Sequence, residues 1–220
     1  MPRALPLFVL AATAAVASAQ EPSATLSGSV SGTVYTSPTG AFTMEIPVLP
    51  ALGGQVRDTE NVVTFRDNYG LQISVGAFAQ DATLRWELST RGTKDYLVYF
   101  FGSYVLPDFK RFCADTRVES AAFAPDLLDG VLFSYILMPG GSMFDSHPTF
   151  GTPAAPAVAK RGNVIFVKNA YTFVISTELS ERVTEGSSYG KSEAEQDQIL
   201  RARLVDVIKK MQFAKAVPPK

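Results

Sequence analysis

Apolar and polar positions alternate with period two along much of this chain and switch to a helical period in two places. In Ala41-Phe42-Thr43-Met44-Glu45-Ile46-Pro47, the residues Phe42, Met44 and Ile46 share one side, which predicts a strand with one buried face. Pro47 and Pro50 close it. The run VVTFRDNYGLQISVGAF, residues 62–78, holds two apolar stretches around Asp67-Asn68-Tyr69-Gly70 and predicts a hairpin with Leu71, Ile73 and Val75 on one face. The period then changes. Asp81 is placed to cap a helix carrying Leu84 and Leu88, with Glu87 and Arg91 spaced to pair, Gly92 as its stop and Thr93 as a second cap. From Arg117 the strand pattern returns in RVESAAF and, after a turn at 126–130, in VLFSYILM, which is apolar on both sides except for Ser134. Such a strand belongs at the centre of a sheet covered on two sides. NVIFVKNAYTFVIST predicts a second hairpin turning at Lys168-Asn169-Ala170. Last comes a helix opened by the capping box Ser192–Glu195, with Leu200, Leu204, Val207, Ile208 and Met211 as its apolar stripe.

The order is therefore three strands, one or two helices, four strands and a helix. That is an α+β domain, an antiparallel sheet of about seven strands covered by helices. The segment 139–160 interrupts it with four prolines and three glycines, too long for a simple hairpin connection and a place where function often resides.

Residues 95–109, DYLVYFFGSYVLPDF, raise the question of a membrane segment. A span needs about 20 apolar residues, whereas Tyr96 to Leu106 is broken by Gly102 and Ser103. The cap at Thr93 and the stop at Pro107 predict a core helix instead. On its wheel Leu97, Phe100, Phe101, Tyr104 and Val105 point inward. Tyr96, Tyr99 and Ser103 gather on the other side as the expected ligand or partner surface.

The N-terminus changes the picture of location. Arg3, the apolar run Leu5–Val16 and Ala17-Ser18-Ala19 are the parts of a secretory signal peptide, residues 1–19. Residues 20–34 read as a flexible linker rich in Ser and Gly, and residues 35–216 as a single α+β domain. Cleavage removes Arg3 alone among charged residues, leaving 19 basic against 21 acidic. So balanced a chain has no electrostatic reason to hold nucleic acid, and no stable membrane span is expected after cleavage. One cysteine, Cys113, rules out an internal disulfide.

The chemical motifs are weak. Gly186 to Gly190 encloses three residues where a phosphate-binding loop needs four. Ser188-x-x-Lys191 lacks the companion elements of penicillin-recognising enzymes. Asp126 and Asp129 flank a turn, where Asp is favoured for backbone reasons without calcium. Cys113 reads as a small core hydrophobe rather than a nucleophile paired with His147. One His and one Cys give no zinc set. No metal and no cofactor are therefore expected.

The arrangement resembles the PsbP-like fold, an antiparallel sheet between helical layers found in photosystem accessory proteins and in exported bacterial proteins. The pieces that carry it are Ser37 to Phe42 running to Ile46-Pro47, the Val63–Val75 hairpin, Asp129-Gly130 opening a strand, and Tyr171–Ser176 before the last helix. The family has no common catalytic residues, so the resemblance implies no site. Two function classes follow. The first is an exported, non-catalytic binding or accessory protein of the bacterial cell envelope, periplasmic or secreted, meeting a protein partner or small ligand there, with His147 beside the tyrosine surface. The second is a hydrolase-like enzyme with a site in the 139–160 loop, using His147 with a carboxylate such as Asp145. The exported form is expected to begin at Gln20. Its intact mass checks this, and a mature mass that retains residues 1–19 contradicts it.

Overall fold

Alternation along the strands becomes one seven-stranded antiparallel sheet in the computed structural model, which describes residues 26–144 and 157–214. Along the chain come β1 (Ser29–Ser31), β2 (Val34–Thr36), β3 (Phe42–Glu45), β4 (Gln55–Asp58), β5 (Val62–Arg66) and β6 (Gln72–Ala79). Helix α1 (Ala82–Phe100), a π-helical turn (Phe101–Val105) and α2 (Leu106–Phe112) follow. After them stand β7 (Arg117–Ala124), β8 (Val131–Pro139), β9 (Val158–Lys168), β10 (Tyr171–Glu178), α3 (Ser180–Thr184), α4 (Glu193–Lys210) and β11 (Met211–Phe213). The large sheet runs β4-β5-β6-β10-β9-β8-β7, and a small four-stranded sheet runs β1-β2-β3-β11.

Each face of the large sheet is covered by a different layer. Ile73, Val75, Val164, Phe166, Phe173 and Ile175 point to one face. There they meet the α4 stripe of Leu200, Leu204, Val207 and Ile208 and the small sheet's Tyr35, Phe42 and Met44. Gly162 makes the helix approach close, because a Cβ there would stand 2.9 Å from the Leu200 side chain. On the other face Leu132, Ile136 and Ile165 pack under Leu97, Phe100, Phe101 and Val105 of the α1–α2 arc. This is the expected α+β sandwich.

Local signals account for most element ends. The Asp81 carboxylate accepts from the Leu84 amide at 2.8 Å, and Glu87 pairs with Arg91. Gly92, at φ 74° and ψ 166°, breaks α1 where a stop is expected. Ser192 and Glu195 form both halves of the capping box that opens α4. Asn169 and Ala170, both with positive φ, turn the β9–β10 hairpin.

Several expectations are corrected by tertiary context. The strand around Phe42 joins the small sheet, paired with β2 and β11, and β4 takes its place in the large one. Met211 leaves the helix to begin β11. The doubly apolar β8 is buried on both faces, yet it is second from the edge rather than central. Pro107 is not a stop. The π turn has the Leu106 amide reach back to the Phe101 carbonyl, and the widened turn accommodates a proline that lacks an amide and would crowd the preceding turn.

Strand β1 falls inside the 20–34 segment expected to be a flexible lead-in. The Asp58 carboxylate of β4 accepts from the amides of Ser27 at 2.8 Å and Gly28 at 2.7 Å and from the Tyr35 hydroxyl at 2.8 Å. These bonds tie the start of the described chain to the large sheet. Burial alone would raise the Asp58 carboxyl, but the Gly28 and Ser27 amides and the Tyr35 hydroxyl outweigh it and hold it below the usual carboxylate value.

Two predictions follow from these contacts. A carboxyl whose folded value lies below its unfolded one contributes fully above about pH 4, and the contribution is lost as pH falls through the folded value. Hydrogen-exchange protection at Ser27 and Gly28 should therefore drop in acid, and near neutral pH in Asp58→Ala, while β9 stays protected. Unchanged protection at both amides removes the clamp. In the helix layer, Phe101→Ala should cost about 3–5 kcal/mol in urea melts, as expected for a buried aromatic. The half-buried Tyr99→Ala should cost far less, and equal small losses would place this helix outside the core.

Candidate functional site

The α1–α2 arc covers β8, β9 and β10 but leaves the helix-facing side of β5 and β6 open, and a cleft of about 810 Å³ lies between them. That volume falls in the range of small-molecule sites. Phe78, Leu84, Phe100, Val105 and Phe109 make its walls apolar. Its floor differs, because every second residue of β5, β6 and β10 points into it.

Strand register aligns those residues into rows. Thr64 stands opposite Ser74, Ser74 opposite Ser176, Ser176 opposite Asn163, and Asn163 opposite Ser134. This polar row runs from the cleft floor into the sheet interior beneath the helices. In the next row Arg66 stands opposite Gln72 and Glu178 opposite Arg161. The row beyond Ser74 holds Gly76, where a Cβ would stand 2.7 Å from the Phe78 ring; its absence makes room for that ring in the cleft wall.

Partnering in these rows is incomplete. Thr64 and Ser74 share a hydrogen bond of 3.1 Å, and the Gln72 side chain bonds Ser74 at 2.8 Å. Five buried polar atoms of the two rows have no hydrogen-bond partner among the described residues: Gln72 Oε1, Ser134 Oγ, Arg161 Nε, Asn163 Oδ1 and Ser176 Oγ. Gln72, Arg161 and Ser176 line the cleft. Their residues are 2%, 6% and 5% exposed, so bulk water does not satisfy them. An unpartnered buried polar group costs about 1–3 kcal/mol.

Arg161 is held on two sides. Its Nη2 donates to Glu178 Oε2 at 3.0 Å, and its guanidinium lies over the Phe109 ring, 5.8 Å from the centroid. Glu178 also accepts from the Met143 amide at 3.1 Å and from the Ser142 hydroxyl, so its acceptor sites are engaged. Burial pulls the Arg161 guanidinium below its ordinary value, and the Glu178 ion pair opposes that pull. The Arg66 guanidinium stands at the same end, donating to the Met143 carbonyl at 2.7 Å.

The residues expected on a tyrosine surface do not stay together. Tyr96 is wholly buried, its hydroxyl 2.6 Å from Thr172 Oγ1 and 3.2 Å from Gln80 Nε2, so it is no surface residue. Partners on β10 and at the end of β6 let its polar tip enter the core. Tyr99 is half-buried, with the Arg91 guanidinium over its ring and Tyr104 against its edge. Hydrogen bonding of its own O–H to Tyr104 favours the protonated form and raises its hydroxyl above the usual tyrosine value. Ser103 is exposed and lines the cleft mouth beside Tyr104, which was expected to point inward and is 44% exposed. The π turn is the reason, since one extra residue rotates the following helix by about 100°. His147 and Asp145 lie outside the described residues. Cys113 packs against the helix-side core, with its Sγ 3.2 Å from the Pro139 carbonyl.

Neither the polar rows nor Arg161 stand out in the sequence. Ser134 is visible as the one polar residue of VLFSYILM, and Ser74 and Ser176 as polar positions inside apolar strands. Their alignment needs the cross-strand register. Among the described residues no group of three or more His, Cys, Asp or Glu side chains is placed to hold a metal ion, and no helix is long and apolar enough to cross a membrane.

No family model and no curated protein matches the chain. Several solved structures are similar to it in fold. A protein of Bacteroides thetaiotaomicron VPI-5482 is 14% identical with a TM-score of 0.40; the match covers 84% of this chain and 49% of that one, so the chain spans about half its length. The Ran-binding protein Mog1p of Saccharomyces cerevisiae is 10% identical with a TM-score of 0.47, over 86% of this chain and 96% of that one. Cyanobacterial PsbP from Synechocystis sp. PCC 6803 is 12% identical with a TM-score of 0.46, over 82% of this chain and 91% of that one. What the chain has in common with the PsbP-like arrangement is an antiparallel sheet packed with helices, and the likeness is weak.

Proposed function

We propose that this chain is an exported, non-catalytic binding protein of the cell envelope that holds a small, largely apolar ligand in the cleft between the α1–α2 arc and strands β5, β6 and β10. The observation that carries the reading is the cleft's division of labour. Aromatic and aliphatic walls offer the hydrophobic gain, about 0.8 kcal/mol per buried methylene. Buried polar atoms without partners wait at one end to orient whatever enters. Export is supported by the signal-peptide pattern of residues 1–19. Binding requires no large rearrangement of the floor, because the residues that form it sit on paired strands rather than loops.

The test uses N-phenyl-1-naphthylamine, an uncharged probe whose fluorescence rises in apolar surroundings, with the chain from Gln20. Saturable binding at one site per chain is expected. Thr64→Trp places an indole on the floor and should lose most of that signal while keeping the wild-type circular dichroism spectrum. Absence of saturable binding, or equal binding by the folded variant, overturns the reading.

A further inference from the structure

We propose that the ligand of this cleft is an amphipathic monocarboxylate, its carboxylate received by Arg161 Nε and the Ser176 hydroxyl and its apolar body laid under Phe100 and Phe109. The assignment rests on the reading of the cleft as a ligand site and names the chemistry of that ligand.

Hydrogen-bond capacity argues for it first. Arg161 and Ser176 line the cleft and are more than nine-tenths buried; Arg161 Nε–H can only donate, the serine hydroxyl can donate, and neither has a partner among the described residues, so a small side-chain turn toward the cleft would present both to a ligand. Glu178 faces Arg161 across the β9–β10 pair, and Ser176 is two residues before Glu178 on the same face. Such diagonal neighbours stand about 7–8 Å apart, within reach of a long side chain. One carboxylate can accept from both, and a hydrogen bond to a charged group is about twice as strong as one between neutral groups.

Gln72 can join them. With its amide turned over, the Ser74 hydroxyl donates to the amide oxygen, Thr64 donates to Ser74, and the amide nitrogen becomes a third unpartnered donor on a residue that lines the cleft. An anion selects that orientation.

Charge argues the same way. At the inner end Arg161 lines the cleft, and Arg66 stands behind it on the Met143 carbonyl, two guanidinium groups near the single carboxylate of Glu178. Glu178 already accepts from Arg161, Ser142 and Met143. Among the described residues this leaves one guanidinium, the half-buried Arg66, without a carboxylate partner, and a guanidinium beside an apolar cleft favours an anion. At the outer rim Asp108 and Arg111 pair with each other at 2.8 Å and leave no net charge. A head group therefore enters toward the polar rows, and the body remains among the aromatic side chains.

Displacement of N-phenyl-1-naphthylamine tests the assignment. Dodecanoate, methyl dodecanoate and dodecanamide compete for the cleft at neutral pH, with 2-naphthoate and its methyl ester run in parallel to tell a fatty acid from an aromatic one. At least one of the acids is expected to displace the probe at about tenfold lower concentration than its neutral counterparts, the loss set by one charge-assisted hydrogen bond. Arg161→Lys keeps a cation beside Glu178 but removes the Nε donor, and Ser176→Ala removes the hydroxyl. Each should lose most of the preference for the acid over its neutral counterpart, read as the ratio of the two displacement concentrations within that variant. Neutral counterparts that compete as well as both acids overturn the carboxylate assignment and leave the cleft a binding site. An acid preference unchanged in both variants overturns the placement of the head group. Failure of the uncharged probe to bind wild type removes the cleft reading itself.

Discussion

Two cations side by side on β9 are buried on opposite faces of the sheet, and their partners lock the layers together. Lys160 is fully buried on the α4 side, where it pairs with Asp197 of α4 at 2.6 Å and with Glu119 of β7. Arg161 is buried on the other side and pairs with Glu178 of β10. A slip of β9 by one residue would exchange the two faces and leave both charges without partners. Breaking one such buried pair costs about 3–5 kcal/mol, so register here is strongly specified.

That register is what gives the cleft its chemistry. With β9 fixed, Asn163 falls between Ser134 and Ser176, and the polar row extends through Ser74 to Thr64. The opposite face of the same strands carries Phe65, Val75, Val164, Phe166 and Ile175 and makes a dry core with α4. One sheet therefore has a face that is apolar apart from the Lys160 cluster and Thr177 and a face where polar groups stand in rows. The helix arc covers the second face only in part. Its π turn redirects the chain between Phe101 and Val105, takes Pro107 into the following helix and brings Ser103 and Tyr104 to the cleft mouth.

The cost of this arrangement supports a role for it. Replacing Ser176 or Ser134 by Ala or Val on a sheet would relieve an unpaired hydroxyl. Retaining several such groups in one place, beside a cleft, is expected where a ligand supplies the missing partners. The Lys160 cluster under α4 shows the contrast. Its charges are paired with one another, Lys160 does not line the cleft, and its effect is to fasten a helix.

Much of the architecture was determined by short-range patterns that each strand or helix carries by itself. Period-two alternation marks β5, β6 and β10, Asp81 and the Ser192–Glu195 box mark two helix starts, and Gly92 marks the break in α1. Those signals act through neighbouring backbone groups, so they are legible without a fold. Beyond the two hairpins, tertiary structure alone decided which strands pair, and hence that Phe42 joins a second sheet with Met211–Phe213. It decided that Tyr96 is core, because the hydroxyl partners Thr172 and Gln80 arrive from distant strands. It also decided the site, since Thr64, Ser74, Arg161 and Ser176 are far apart in sequence. They meet only because hydrogen-bonded registers place them side by side, and side chains aligned by pairing leave no periodic trace within any one strand.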